Sequence, residues 1–375
     1  MAAKPSYGRA AMTDRNLLDE LMKLLSRPGP VNWALAEQLA GHVSGDPEPI
    51  DPWIADEYLE LARLVQLKVP ASTGLATDPT LEPVLVGRKE WARLHLRSFR
   101  YLVDPMADRL DGMGSGPLGG LMKPLGPALL GMNAGALAGM LSTQALGSFD
   151  TGLPAAEPVG FTFHIPNIEG FASEYALDPR QVRLWVAFHE SVHEALLGQP
   201  WVRPHLIDLF GSVVSSMELD AGALGIWQEA LTDPARLEEA FGQPGGMSAL
   251  FGGGMNEKLL EEAHTAMTMV EGYGAYLVEQ ASAGLLPDLT NIRSAMAEHL
   301  ATRGDRSEFA GTLPTSSSAG VHGRGTEFCA EVGSRWGPAA VRRIWQGGDN
   351  LPSPGELDDV TGWAARVLLD DPFTG

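Results

Sequence analysis

Apolar residues recur with the period of an amphipathic helix over most of this 375-residue chain. One predicted helix begins at Thr13 or Asp14, either of which can cap its first turn. The same period predicts a helix over 53–69 and another from about Lys89 to a stop near Pro105. The pattern therefore predicts a mainly α-helical protein.

One segment has the alternation of a β-strand instead. Within residues 158–168, Phe161, Phe163 and Ile165 alternate with polar positions, which predicts a short strand. We expect it to form the edge of a small β-sheet. An exposed edge strand beside a binding cleft could pair with an extended peptide.

The chain carries no charge between Lys123 and Asp150, a stretch long enough to cross a membrane. Within it, Gly131, Gly135 and Gly139 are spaced four apart, and such a stripe of small residues lets two helices approach closely. The prolines and polar residues of the stretch weaken its preference for lipid. We therefore expect a buried, closely packed helix rather than a membrane span.

The composition excludes several classes of partner. Lys and Arg number 27 against 47 for Asp and Glu, so the net charge is −20. A surface this acidic repels nucleic acid and anionic lipid, and we expect neither as a partner. The N-terminal residues lack the apolar core of a secretory signal. The single cysteine, Cys329, cannot form an internal disulfide and fits a reducing, cytoplasmic location.

The strongest chemical signal lies in the segment LDPRQVRLWVAFHESVHEALLGQP. Its end signals, Asp178 and Gly198, enclose about 19 residues of predicted helix, here called the motif helix. His189 and His193 are four apart, so they share one face at the spacing that two imidazoles need to bind one Zn²⁺. Glu190 is expected to point toward the same cleft, where it can take the proton of a zinc-bound water. The alternative is a pair of structural core histidines.

Such a zinc site needs a third protein ligand. Leu196 and Gln199 occupy the positions where a metzincin has glycine and histidine, so that class is excluded. A helix predicted over 256–282, here called the Glu271 helix, places Glu271 at the edge of its apolar face beside small residues. A carboxylate facing a core is costly unless it is paired or bound to a metal. Glu271 is therefore the expected third ligand.

Two histidines are rivals to Glu271. His264 lies seven residues before it on the same helix, roughly 10 Å along the axis, so both cannot reach one ion. His205 follows the motif helix after a turn whose direction the sequence does not fix. Tyr273 and Tyr276 could stabilise an oxyanion beside zinc, although packing is the commoner role of an aromatic residue on a helix.

Four blocks of the chain carry a family resemblance. They are VGRKEWARLHLRSFRYLVDPM, LGSFDTGLP followed by FTFHIPNI, RLWVAFHESVHEALLGQPWVRPHL, and EFCAEVGSRWGPAAVRRIWQGGDNLPSPGELDDVTGWAARV. Together they resemble the actinobacterial zincin-like metallopeptidase family, long catalogued as a domain of unknown function and sometimes labelled as associated with deazaflavin coenzyme biosynthesis. The resemblance extends from about Val86 to Val367. It implies a zincin-like fold and a zinc hydrolase without an established substrate.

The resemblance also bears on the third ligand. The Glu-Gly pair of the family is matched by Glu271 and Gly272, which supports Glu271 as a ligand. Where the family commonly has histidine after this pair, the chain has Tyr273. Where relatives carry an ordered segment with Lys, Gln and Tyr, the chain has a Ser/Gly-rich stretch ending in HGRGTEF. These departures affect the expected substrate selection rather than the expected zinc ligands.

The chain is expected to divide into four regions. We predict an N-terminal helical region over 1–157, a zincin-like catalytic region over 158–300, a flexible loop over 301–326, and a C-terminal helical region over 327–375 that packs on the catalytic region. The loop is predicted because its run of Ser, Gly and Thr shows no period. A second glycine-rich loop is expected over 244–255.

The function predicted from these residues is that of a zinc-dependent metallopeptidase. Its substrate would be a peptide or protein, cleaved by a zinc-activated water with Glu190 as the base. The alternative is a non-catalytic zincin-like binding or scaffold protein that retains the metal site. The sequence does not fix the oligomeric state.

Overall fold

A computed structural model of the chain shows a mainly helical protein with a small two-stranded sheet, as predicted. The structure describes residues 29–46, 49–78, 81–112, 119–149, 151–157, 160, 162–218, 220, 222–223, 225–226, 253–304 and 319–369. The helix predicted to begin at Thr13 or Asp14 lies outside these residues, as does most of the loop predicted over 244–255.

The described elements follow one another in a simple order. The helices are α1 (Trp33–Val43), α2 (Pro52–Thr73), α3 (Arg88–Leu96), α4 (Arg100–Gly112), α5 (Gly119–Ser142), α6 (Ile165–Glu174), α7 (Pro179–Leu197), α8 (Val202–Ser216), α9 (Glu257–Ala281), α10 (Leu289–Gly304), α11 (Ala319–Trp336), α12 (Pro338–Arg343) and α13 (Val360–Leu368). Short 3-10 turns occupy Arg97–Phe99, Ile344–Gln346, Gly348–Asn350 and Gly355–Leu357. The strands are β1 (Val84–Val86) and β2 (Thr162–His164). The motif helix is α7 and the Glu271 helix is α9.

The motif helix lies at the centre of the fold. Helix α2 packs along one side of it and the Glu271 helix along another, and α8 and α11 pack in turn on the Glu271 helix. Every residue of the motif helix from Val182 to Leu197 is buried. A charged residue on such a helix needs a partner, and Arg183 has two, with Glu57 and Glu169 oxygens at 2.5 and 2.6 Å.

The two strands form a parallel pair, and all three residues of β2 are buried. One edge of β2 pairs with β1. On its other edge, the amide of Thr162 donates to the Glu190 carboxylate and the amide of His164 donates to the Leu146 carbonyl oxygen. The prediction of an exposed edge strand that could pair with a peptide is therefore wrong, because both edges of β2 are occupied.

Two predicted element ends differ from the structure. The helix predicted from about Lys89 to a stop near Pro105 is divided into α3 and α4 by the 3-10 turn Arg97–Phe99, and α4 continues through Pro105 to Gly112. The strand predicted over 158–168 ends already at His164, because Ile165 and Pro166 form the first turn of α6, and residues 158, 159 and 161 lie outside the described chain. Proline is well tolerated in a first helical turn, where its missing N–H is not needed.

The loop predicted over 301–326 is helical at both ends. Helix α10 extends to residue 304 and α11 begins at residue 319, while residues 305–318 lie outside the described chain. The glycines of α11 serve close packing: a Cβ on Gly325 would lie 2.0 Å from the Thr268 carbonyl oxygen, and a Cβ on Gly272 would lie 2.3 Å from Gly325. Glycine at this helix crossing therefore marks contact rather than a flexible loop.

The glycine stripe of α5 packs directly against α1, which confirms the expected close packing. A Cβ on Gly131 would lie 2.4 Å from the carbonyl oxygen of Asn32, and one on Gly135 equally close to that of Ala36. Such contacts leave no room for a larger side chain on α5. Among the helices that the structure describes, none has the length and apolar character of a membrane span.

A glycine-to-alanine pair tests this packing. Gly135→Ala should lower the free energy of unfolding by about 1–3 kcal/mol, because its methyl group would overlap backbone that cannot move alone. Gly41→Ala is the matched control on α1, since a Cβ there has no neighbour within 4 Å, and it should be neutral or stabilise by up to about 1 kcal/mol. Denaturant unfolding measures both. Equal unfolding midpoints for the two variants would contradict the close-packing account.

Candidate metal centre

His189, His193 and Glu271 meet between the motif helix and the Glu271 helix. One ligand atom from each of the three side chains lies within 4.8 Å of the other two. The Nε2 atom of His193 is 3.5 Å from Oε2 of Glu271, and the two imidazole centroids are 4.1 Å apart. Two imidazoles and a carboxylate are a donor set used by catalytic zinc sites.

The surroundings of His193 fit a metal ligand. Its Nδ1 lies 2.9 Å from the carbonyl oxygen of His189, which can only accept, so Nδ1 carries the proton and Nε2 presents its lone pair. Within the described chain this buried Nε2 makes no hydrogen bond. A zinc ion could bind the lone pairs of both this imidazole nitrogen and the neighbouring buried Glu271 carboxylate. The residues present therefore fit this ion.

The electrostatic surroundings of His193 point the same way. Burial lowers the pKa of the imidazole, but the neighbouring Glu271 carboxylate, the His189 carbonyl and Glu190 raise it, and the net shift is upward. The negative surroundings thus favour a positive charge at this position. A proton on Nε2 and a metal ion bound to Nε2 exclude each other, and either one would supply the positive charge that these surroundings favour.

Gly274 gives the imidazole of His193 the space to reach Glu271. A Cβ on this glycine would lie 2.5 Å from Cε1 and 2.7 Å from Nε2 of the His193 ring. The sequence indicated small residues near Glu271, but only the structure shows that Gly274 borders His193 while Gly272 borders α11.

Glu190 is fully buried, and backbone N–H groups fix its carboxylate. Oε2 accepts hydrogen bonds from the amides of Ser148 at 2.8 Å and Thr162 at 3.2 Å. Oε1 accepts one from the amide of Phe149 at 3.3 Å and lies 3.6 Å from Nδ1 of His189. The carboxylate therefore sits beside the first imidazole, against a loop that precedes β2.

That loop, residues 146–149, was not singled out as functional by the sequence reasoning. A Cβ on Gly147 would lie 2.2 Å from the Glu190 carboxylate, so only glycine lets the loop close on it. Ser148 Oγ lies 2.6 Å from Thr162 Oγ1 and 3.2 Å from Nε2 of the buried His95. The one sequence signal for this loop is its position in LGSFDTGLP, one of the segments that carry the family resemblance.

A cavity of about 320 Å³ borders the metal group on another side. His189 and Glu271 contribute to its wall, and the remaining described lining residues are mostly apolar: Trp185, Ala275, Val278, Arg293, Met296, Ala297, Leu300, Gly323, Thr326 and Glu327. Glu190 does not line this cavity. The sequence predicted that Glu190 points into the same cleft as the histidines. In the structure the loop amides hold its carboxylate beside His189, outside the wall of this cavity.

The rival side chains lie outside the metal group. His264 is exposed on the Glu271 helix, and His205 lines a separate cavity with Leu209 and Gly348. Neither belongs to the group of described side chains whose ligand atoms converge. Tyr273 is buried and stacks on Trp345, with ring centroids 5.3 Å apart, which is a packing role.

The donor set and the mainly helical scaffold fit the class of zincin-type metal sites. A family model described as zincin-like metallopeptidase matches residues 31–364. The chain therefore belongs to the zincin-like metallopeptidase family, which confirms the zincin-like metallopeptidase part of the resemblance carried by the sequence blocks.

The fold also has a counterpart among solved structures. A crystal structure from Chloroflexus aurantiacus, described as a suspected hydrolase with a novel fold, is similar to the chain with a TM-score of 0.65. The two chains share 21% identity, and the match covers 90% of this chain and 98% of the other. At this identity the similarity establishes the fold alone. A search of the curated proteins finds no match.

Alanine substitutions test the ligand set. Removing His189, His193 or Glu271 should weaken zinc binding by orders of magnitude, because the ion needs all three donors positioned together. His205→Ala and His264→Ala are the matched controls and should keep about one zinc per chain. Metal analysis after dialysis measures the content. Zinc loss in the His205 variant with retention in the Glu271 variant would place the site elsewhere.

A second prediction tests the space that Gly274 provides. Gly274→Ala should displace the His193 ring from Glu271 and lower zinc affinity roughly 10–100-fold, as expected when the support of a ligand is disturbed. Gly170→Ala in α6 is the control, since a Cβ there has no neighbour within 4 Å. Competition with a chelator measures both affinities. Unchanged affinity in the Gly274 variant would show that the ring does not need this space.

Proposed function

We propose that the protein is a zinc-dependent metallopeptidase that hydrolyses peptide bonds. The observation that carries the proposal is the convergence of His189, His193 and Glu271 in a chain of the zincin-like metallopeptidase family. These three side chains would hold the ion. When bound, zinc supplies Lewis acidity that polarises a carbonyl and acidifies water.

Glu190 is the proposed general base, acting through Oε1. A carboxylate oxygen has two lone-pair positions. On Oε2 both are used by amides, while Oε1 has one hydrogen bond, from Phe149. Oε1 can therefore accept a proton from water and deliver it to the leaving nitrogen. The three amides hold the carboxylate in one direction, so no reorientation is needed when the proton moves.

One observation favours a second candidate, a zincin-like binding or scaffold protein without turnover. Glu190 accepts three backbone hydrogen bonds and lies outside the wall of the main cavity. A carboxylate in this position would also serve as a purely structural anchor between the motif helix and the loop 146–149. In that case the metal group would bind zinc without hydrolysis.

The remaining expectations from the sequence stay predictions. A peptide or protein substrate fits the proposed reaction, and the net charge of −20 argues against nucleic acid. Cys329 is buried and is the single cysteine of the sequence, so a cytoplasmic location remains the expectation. The label that links relatives to deazaflavin coenzyme biosynthesis likewise stays a prediction.

Glu190→Gln separates the two candidates. The amide keeps the shape but cannot accept a proton, so hydrolysis should fall by a factor on the order of 100 to 10,000 while zinc content persists. One backbone N–H would then face the Gln NH₂ group, so a stability loss of about 1–3 kcal/mol is also expected. Mass spectrometry of products from a broad peptide library measures hydrolysis by the zinc-loaded protein.

The exposed Glu261→Gln on the Glu271 helix is the control and should cut peptides like the unaltered protein. Full activity of the Glu190 variant would exclude the base role. Zinc binding by the unaltered protein without cleavage of any library member would favour the binding protein instead.

A further inference from the structure

The cavity beside the metal group has a buried apolar floor. Val278, Met296 and Leu300 line it and are 2%, 7% and 2% exposed. Its volume of about 320 Å³ is at the lower end of the range for small-molecule sites. A cavity of this size suits one or two amino-acid side chains rather than a folded segment.

The apolar lining begins within one helical turn of the metal group. Trp185 precedes His189 by four residues on the motif helix, and their ring centroids are 5.4 Å apart. Ala275 follows Glu271 by four residues on the Glu271 helix. Four residues correspond to about 6 Å along a helix axis. A side chain adjacent to a carbonyl held at the metal group therefore reaches this lining.

Two charged residues of the described lining lie apart from the metal group, and each has a partner or faces solvent. Nη1 of Arg293 is 3.0 Å from Glu279 Oε2, and its Nη2 donates to the Ala275 carbonyl oxygen at 2.9 Å. Glu327 is exposed to solvent. A charged substrate side chain would lose its hydration without gaining a buried opposite charge. The cavity therefore favours an uncharged, apolar group.

We propose that this cavity receives the side chain of an apolar residue next to the scissile bond, so that the substrates are peptides with Leu, Met or Phe at that position. The inference rests on the proposed function, because the metal group defines where the scissile carbonyl lies. Each methylene buried in such a pocket changes selectivity by roughly tenfold or more. Selection should therefore be strong between glycine and leucine.

Binding of zinc-chelating probes tests the cavity without requiring turnover. The probes are N-acetyl amino-acid hydroxamates with the side chains of Gly, Ala, Leu, Phe, Asp and Lys. Titration calorimetry with the zinc-loaded protein should show the Leu and Phe probes binding at least about tenfold more tightly than the Gly probe. Equal affinity for all the probes, or tightest binding of the Asp or Lys probe, would overturn the inference.

Two variants on α10 connect the selectivity to this cavity. Ala297 lines the cavity and is exposed, so Ala297→Phe should fill the space without disturbing the core. It should abolish the preference for the Leu and Phe probes, leave the Gly probe unaffected and leave zinc content unchanged, with Ala297→Leu intermediate. Ser294→Phe is the matched control, because Ser294 is exposed on the same helix but does not line the cavity. Unaltered selectivity in Ala297→Phe would assign the preference to another surface.

The peptide library distinguishes failure of this inference from failure of the proposed function. Cleavage at bonds without a neighbouring apolar residue would overturn the inference and leave the peptidase intact. If the protein prefers apolar probes and Ala297→Phe loses this preference, but no peptide is cleaved, the peptidase function is excluded and the cavity is an apolar ligand site. If the protein holds no zinc, the proposed function fails. The same amino-acid probes, prepared as carboxamides that do not need zinc, are then titrated against the metal-free protein and against Ala297→Phe. Tighter binding of the Leu and Phe carboxamides that is lost in Ala297→Phe would support the apolar site, and equal affinity for all of them would overturn it.

Discussion

The site depends on one contact between two buried polar side chains on different helices. His193 and Glu271 are each 1% exposed and their nearest paired atoms are 3.5 Å apart. Either group alone would lose its hydration on folding at a cost of several kcal/mol, so each requires the other or a shared cation. The crossing of the motif helix and the Glu271 helix must therefore bring the two together, and Gly274 supplies the space for it.

Glu190 links this helix pair to the earlier part of the chain. Its carboxylate accepts hydrogen bonds from backbone amides of the loop 146–149 and of Thr162. The same loop accepts a hydrogen bond from the Trp91 side chain through the Gly147 carbonyl oxygen at 2.7 Å. Backbone groups of the loop 146–149 and the side chain of Trp91, all within the predicted N-terminal region, thus form part of the surroundings of Glu190. The region that carries the motif does not form the site alone.

The two site helices could be predicted closely because their signals are local. Asp178 and Gly198 bound the motif helix as expected, and Asn256 caps the Glu271 helix through its side chain. The cost of a carboxylate on an apolar face was enough to select Glu271. The surroundings of Glu190 could not be predicted in this way, because two of its donors lie 28 and 42 residues away in sequence.

Glycine-rich sequence is also hard to interpret, because glycine can either end a helix or allow two helices to cross closely. Gly135 was correctly assigned to a packed stripe because it repeats every four residues. Gly325 lies in a run rich in Ser and Gly without a period, so it indicated a loop. Its partners, Thr268 and Gly272, lie on another helix. A tertiary contact of this kind has no signature in the local sequence.

The two oxygens of Glu190 have different surroundings, so an anchoring role is compatible with the proposed role as a base. Oε2, with two amide donors, holds the loop, while Oε1 has one donor and lies 3.6 Å from His189. His189 also borders the apolar cavity, which Glu190 does not reach. A water that passes a proton to Oε1 and attacks a substrate held in the cavity must therefore lie beside His189. Its side chain is 11% exposed, against 1% for His193 and Glu271, so the more accessible imidazole faces the proposed reaction while the buried pair fixes the geometry.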